Sequence, residues 1–132
     1  MIVLDTNVLA RFLLNDDPEQ FERARSVLSA PEAYTAPLTV FLELAWVLKV
    51  NDCSREEISK GLRALLGLAN FVPREPEVLL CALNWYEQGM DFGDAMHLAA
   101  SAQDDALLTF DRDFAKISNR MGASPKVKSL GD

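Results

Sequence analysis

Long apolar runs are missing from this chain. No stretch approaches the ~20 residues needed to cross a bilayer, so no membrane span is expected. Histidine is almost absent: His97 is the only one, which excludes RNA cleavage by a pair of imidazoles. Cysteine is scarce. Cys53 and Cys81 have no C-x-x-C or other ligand spacing, so the expectation is two reduced thiols in a cytoplasmic protein, with Cys81 in the core. The six glycines form neither G-x-x-x-x-G-K nor G-x-G-x-x-G, which removes the common phosphate-cradling loops. The N-terminus carries an acid at position 5 and no basic leader, so it does not read as a signal peptide. Repeats and low-complexity linkers are absent as well.

What is present is an ordinary globular composition: 132 residues, 49% hydrophobic and 25% charged. That is enough for a single domain, residues 1–132, with its own core. The net charge of −7 is unevenly spread. Residues 1–111 hold 8 basic and 18 acidic side chains, whereas 112–132 hold 5 basic and 2 acidic. An acidic protein is not an obvious nucleic-acid binder. A basic C-terminal end, and metal ions neutralising an acidic pocket, can reverse that locally.

The apolar run Met1–Leu4 reads as a buried strand ending at Asp5. Helical spacing follows from Thr6 to Leu14. Asp17 as N-cap with Pro18 at N1 opens a second helix to about Leu28. A strand candidate at 33–36 leads to the most apolar helix of the chain, from Pro37 to about Lys49. Ser54–Glu57 has the form of a capping box and opens another helix. Pro76 opens a helix closed by Gly89, and Asp91 opens one to about Gln103. Ala106–Phe110 is a second buried-type strand, ending at Asp111. A short helix from Arg112 to Ser118 and an edge strand at 126–128 complete the chain. Short strands alternating with longer helices predict an α/β fold with a short parallel sheet covered by helices.

Four acids stand out. Asp5 and Asp111 each follow a strand, where open α/β sheets place their ligands. Helix capping accounts for either one alone; two in the same context point to a site. Glu43 is the only non-apolar residue between Val40 and Leu48. A buried, ionised Glu is expensive unless paired or metal-bound, although a Glu at the helix edge or paired with an Arg would be harmless. Asp94 falls at N3 of the helix that Asp91 caps, and His97 shares its face as a structural residue. Carboxylates with no Cys and at most one His suit a hard cation, Mg²⁺ or Mn²⁺. The natural chemistry of such a centre is phosphoryl transfer.

The stretches Leu4–Leu9 (LDTNVL), Asp91–Ala99 (DFGDAMHLA) and Leu108–Phe114 (LTFDRDF), with Glu43 in an apolar helix between them, resemble the PIN-domain nucleases. The order and spacing match over nearly the whole chain, and the length is similar to that of VapC-type toxins. The resemblance implies a three-layer PIN-like α/β fold and an endoribonuclease dependent on Mg²⁺ or Mn²⁺. It implies Asp5, Glu43, Asp94 and Asp111 as the catalytic and metal-binding acids, with Asp113 able to assist or replace Asp111. It implies Thr6, Asn7 and Thr109 as supporting residues. The implied partners are an RNA substrate, a second copy of the chain, and a DNA-binding, VapB-like antitoxin in a heterotetramer or larger assembly. Arg11, Arg112 and Lys116 are candidate RNA contacts, joined on the same reasoning by Arg120 and Lys128.

Two rival readings remain. A phosphatase using Asp5 as covalent nucleophile needs a second acid two residues on, where this chain has Asn7. A catalytically inactive, protein-binding PIN-like module is the other, and the presence of all four acids argues against it.

Overall fold

In the computed structural model, which describes residues 1–131, the chain forms two compact units, Met1–Pro76 and Glu77 onward. Among the described residues there are seven helices and four short strands, and every strand pair is parallel.

The first unit begins with β1 (Ile2–Val3), α1 (Thr6–Leu14), α2 (Pro18–Ser29) and β2 (Tyr34–Thr35), then α3 (Leu38–Val50) and α4 (Arg55–Leu66). β1 pairs with β2 in the register Ile2–Tyr34 and Val3–Thr35. Phe71 extends the pattern through a single parallel bridge to Tyr34. The caps fall where residue chemistry demands them. Asp17 accepts from the Gln20 N–H at 3.1 Å, with Pro18 supplying a preset φ at the first helical position. Ser54 and Glu57 close a reciprocal box: the Ser54 N–H donates to Glu57 at 2.8 Å and the Glu57 N–H to Ser54 Oγ at 3.1 Å. This holds the Glu57 carboxyl below its ordinary pKa. The core is built from Leu9 of α1, Phe41, Leu44 and Leu48 of α3, and Ile58, Leu62 and Leu65 of α4, with Phe71 tilted against Phe41 at 6.1 Å between ring centres. At Gly61 a Cβ would lie only 3.3 Å from the Leu13 side chain, so this small residue lets α4 lie close to α1.

The second unit contains α5 (Pro76–Glu87) from its second residue onward, α6 (Phe92–Ala100), β3 (Ala106–Thr109), α7 (Arg112–Met121) and β4 (Lys126–Ser129). β3 and β4 run parallel, from Ala106–Lys126 to Thr109–Ser129. Gly89, at φ +115, ends α5 in a conformation that a side chain would resist, and the chain turns directly into Met90 and Asp91. Gly122, at φ +66, ends α7 in the same left-handed region. Leu79, Leu83, Met90, Leu98, Phe114 and Val127 are buried, and Tyr86 meets Phe92 edge-on at 5.5 Å.

Three expectations need correcting. The apolar run at the N-terminus is not a buried strand: Ile2 and Val3 are 45% and 55% exposed, and only Leu4 is buried. The expected strand at 106–110 is likewise open: Leu108 of β3 is 60% exposed, and Phe110, just past the strand, 77%. Runs this short report β-propensity and cannot separate a buried strand from a half-covered one. Cys81 is half-buried rather than enclosed, although its burial still raises the thiol pKa.

Candidate functional site

The second unit carries a cleft of about 440 Å³. Gly89, Met90 and Asp91 bring the turn after α5 to its wall, and Asp94 projects from the first turn of α6. Asp111, Asp113, Phe114, Lys116, Ile117 and Arg120 contribute one whole face of α7. The local logic is simple. Asp91 and Asp111 each cap a helix, so both helices start at the cleft and present their first-turn acids to it.

Asp91 accepts from the Asp94 N–H at 3.1 Å. Asp111 accepts from the Phe114 N–H at 3.1 Å, while its own N–H donates to Thr109 Oγ at 3.0 Å. Thr109 therefore fixes the backbone that carries Asp111. The Asp94 carboxyl is pushed above its ordinary pKa, first by burial and then by the negative charges of Asp91 and Asp111; His97 partly opposes the shift. Asp91 thus does more than cap α6, the only role the sequence suggested for it. Met90 and Ile117 also line the cleft, and nothing in their sequence context marked them beyond the helix-ending glycine at 89.

Capping and chemistry at Asp111 can be separated. Asparagine caps as well as aspartate, whereas alanine loses the bond at a cost of about 1 kcal/mol. We expect Asp111→Asn to leave the thermal midpoint nearly unchanged and Asp111→Ala to lower it, measured by thermal melts without metal.

Asp5 and Glu43 belong to the first unit. Asp5 stands at the N-cap of α1, yet its side chain makes no cap hydrogen bond and is exposed. Helix capping therefore does not explain its presence. Thr6 Oγ1 is buried and makes no hydrogen bond, so the hydroxyl does not hold the Asp5 carboxylate. Asn7 is exposed and lines a groove between α1 and α2 with Val8, Arg11 and Arg23. Arg11 is clamped by both carboxylate oxygens of Asp16 at 2.9 Å. Glu43 is exposed on α3, so the argument from the cost of burying its charge does not apply. Among the described residues, no group of three or more His, Cys, Asp or Glu side chains is placed to hold a metal ion. The acids that line the cleft of the second unit are Asp91, Asp94, Asp111 and Asp113.

Comparison with known proteins gives three findings. No curated protein sequence matches the chain significantly. Among solved structures, the Mycobacterium tuberculosis toxin VapC20, described as cleaving the sarcin–ricin loop, aligns with 19% identity. The alignment covers 88% of this chain and 94% of that one with a TM-score of 0.43. A family model described as the PIN domain matches residues 2–120, and the chain belongs to that family.

Proposed function

We propose that this PIN domain is an endoribonuclease dependent on Mg²⁺ or Mn²⁺, the toxin of a VapC-type toxin–antitoxin pair. The observation that carries the reading is the Asp94–Asp111 pair: two carboxylates face one cleft, with Asp94 raised first by burial and then by its acidic neighbours. The donor chemistry fits a hard cation. Oxygen is the only donor type offered by the acids there, and Mg²⁺ keeps most of its waters while needing only one or two carboxylates. Asp94 and Asp111 would hold the ion, with Asp113 beside them. When bound, such an ion activates water and offsets charge on a phosphate.

The chain's own residues supply the framework. Thr109 sets the position of Asp111, and Asp91 anchors the first turn of α6 under Asp94. The reading takes residues 1–132 as one catalytic domain in which Asp5 and Glu43 complete a four-carboxylate centre. It is supported there by family membership and by an Asp5 side chain that caps nothing. The products are a 3′-hydroxyl and a 5′-phosphate. Thr6 and Asn7 flank Asp5, and Arg11, Arg112 and Lys116 are the first RNA contacts to test. Arg11 would exchange its exposed pair with Asp16 for a phosphate, a small loss. The reading includes a homodimer and a DNA-binding, VapB-like antitoxin in a heterotetramer or larger assembly. Among the described residues no helix is long and apolar enough to cross a membrane, and the proposed location is the cytoplasm.

The test is cleavage of a mixed RNA pool by protein freed of any antitoxin. Cleavage is expected with Mg²⁺ or Mn²⁺ and not with EDTA. Equal cleavage in EDTA would remove the metal from the account, and no cleavage under any metal would favour a binding module.

A further inference from the structure

Helix α7 presents Arg112, Lys116 and Arg120 at intervals of four residues, which places them along one stripe of the helix. Two of them, Lys116 and Arg120, line the same cleft as Asp91, Asp94, Asp111 and Asp113. Both are exposed. Asp113 lies three residues from Lys116, a spacing that favours an ion pair, yet among the described residues neither Lys116 nor Arg120 forms one. The cleft is therefore polarised. Its acidic end gathers at the start of α6 and α7, and its basic end lies further along α7.

We propose that Lys116 and Arg120 form a phosphate track that holds the substrate strand beyond the bond to be cut. The proposal rests on the ribonuclease reading and adds which part of the substrate the cleft grips. The spacing suits the task. Along the helix axis, Lys116 lies about 7.5 Å beyond Asp111 and Arg120 about 6 Å beyond Lys116. Cations spaced in this way meet successive phosphates of an unstacked strand, while the phosphate under attack stays at the acidic end. A phosphate at that end would need the cation that Asp94 and Asp111 would hold; the phosphates at the basic end would not. Lys116 and Arg120 are accordingly positioning residues. They touch the strand and read no base, because phosphate contacts set register without carrying sequence information. The track uses two of the five basic side chains in residues 112–132, the stretch where basic residues outnumber acidic ones in an otherwise acidic chain.

The test compares the parent protein with Lys116→Gln/Arg120→Gln, with the conservative Lys116→Arg/Arg120→Lys, and with Lys60→Gln on α4 as a surface control. Cleavage of one short RNA is followed over a range of KCl. In the double Gln variant, KM is expected to rise about tenfold with kcat within about twofold. Its plot of log(kcat/KM) against log[salt] should flatten by about 1.4, at about 0.7 for each lost phosphate contact on a single strand. The conservative pair should restore the slope, and Lys60→Gln should change nothing. A double Gln variant with the parent's KM and salt slope would overturn the track, as would a fall in kcat at unchanged KM. Anisotropy binding of the same RNA, fluorescein-labelled and with Ca²⁺ replacing Mg²⁺, separates the two readings. A parent that binds with the steeper slope but never cuts supports the track and overturns the ribonuclease. A parent that cuts the RNA, but binds and cuts it no better than its double Gln variant does, overturns the track alone. A parent that neither binds nor cuts overturns both.

Discussion

Replacing Asp94 by Asn should lower kcat for RNA cleavage by about three orders of magnitude, ~4 kcal/mol of transition-state free energy, while making the metal-free protein slightly more stable. The two effects have opposite signs for one reason. Asp94 is partly buried in the cleft and faces the charges of Asp91 and Asp111, so its ionised form is disfavoured in the folded chain. A group whose folded pKa is raised contributes no destabilisation below its unfolded pKa, where it is protonated in both states. The penalty grows as pH rises through the folded pKa and is complete above it. Asparagine removes that penalty and keeps the backbone N–H that donates to Asp91. After solvent screening, the gain at neutral pH should not exceed about 0.5 kcal/mol, and it should vanish near pH 3. A thermal melt in EDTA at the two pH values checks the stability effect, and a cleavage assay in Mn²⁺ checks the activity. A variant that loses activity but also melts lower at neutral pH would mean that Asp94 is a structural carboxylate.

Replacing Phe41 by Ala should remove about 3–5 kcal/mol of stability. Phe41 is fully buried in α3 and packs against Phe71, which is itself buried and bridges to Tyr34. Removing the ring leaves a cavity whose neighbours, anchored on a helix and a β-bridge, cannot close around it. With typical total stabilities of about 5–15 kcal/mol, this single change takes up much of the margin. Urea denaturation should show a much lower midpoint with an unchanged m-value. A loss below about 1 kcal/mol would mean that the Phe41–Phe71 contact is not a core contact. Because α3 also carries Glu43, residual activity in this variant should fall in step with its folded fraction.

Helix starts were readable because side chains announce them. Asp17-Pro18, Ser54 with Glu57, and Asp91 all cap where their chemistry predicts. Helix ends were less legible. α6 stops at Ala100 rather than near Gln103, since Ser101–Asp105 offer no periodic apolar contact to sustain it. α7 continues to Met121 past the expected Ser118, because its true stop is Gly122 in a left-handed conformation. Asn119 and Arg120, just past the expected end, belong to the last turn of the helix and are exposed.

The site was legible in part, for physical reasons that differ between its two groups of acids. Asp94 and Asp111 could be matched because each sits at a helix start, and helix starts leave a signature. Glu43 could not be oriented. Thr39, Glu43, Trp46 and Val50 lie on one exposed stripe of α3, and apolar Trp46 and Val50 disguise that stripe as a buried face. Hydrophobicity alone cannot reveal the outward side of a helix whose outward side is apolar. The polarity of the cleft was half visible: the basic end of the chain stood out in the charge count, but not its alignment with the acids along α7.

The most direct measurement is an anomalous difference map from crystals soaked in Mn²⁺. The account expects a peak bound by carboxylate oxygens of both Asp94 and Asp111, at the roughly 2.0–2.2 Å typical of small divalent ions on oxygen ligands, and no peak in crystals of Asp94→Asn. A peak elsewhere with that cleft empty, or an undiminished peak in the variant, would contradict it.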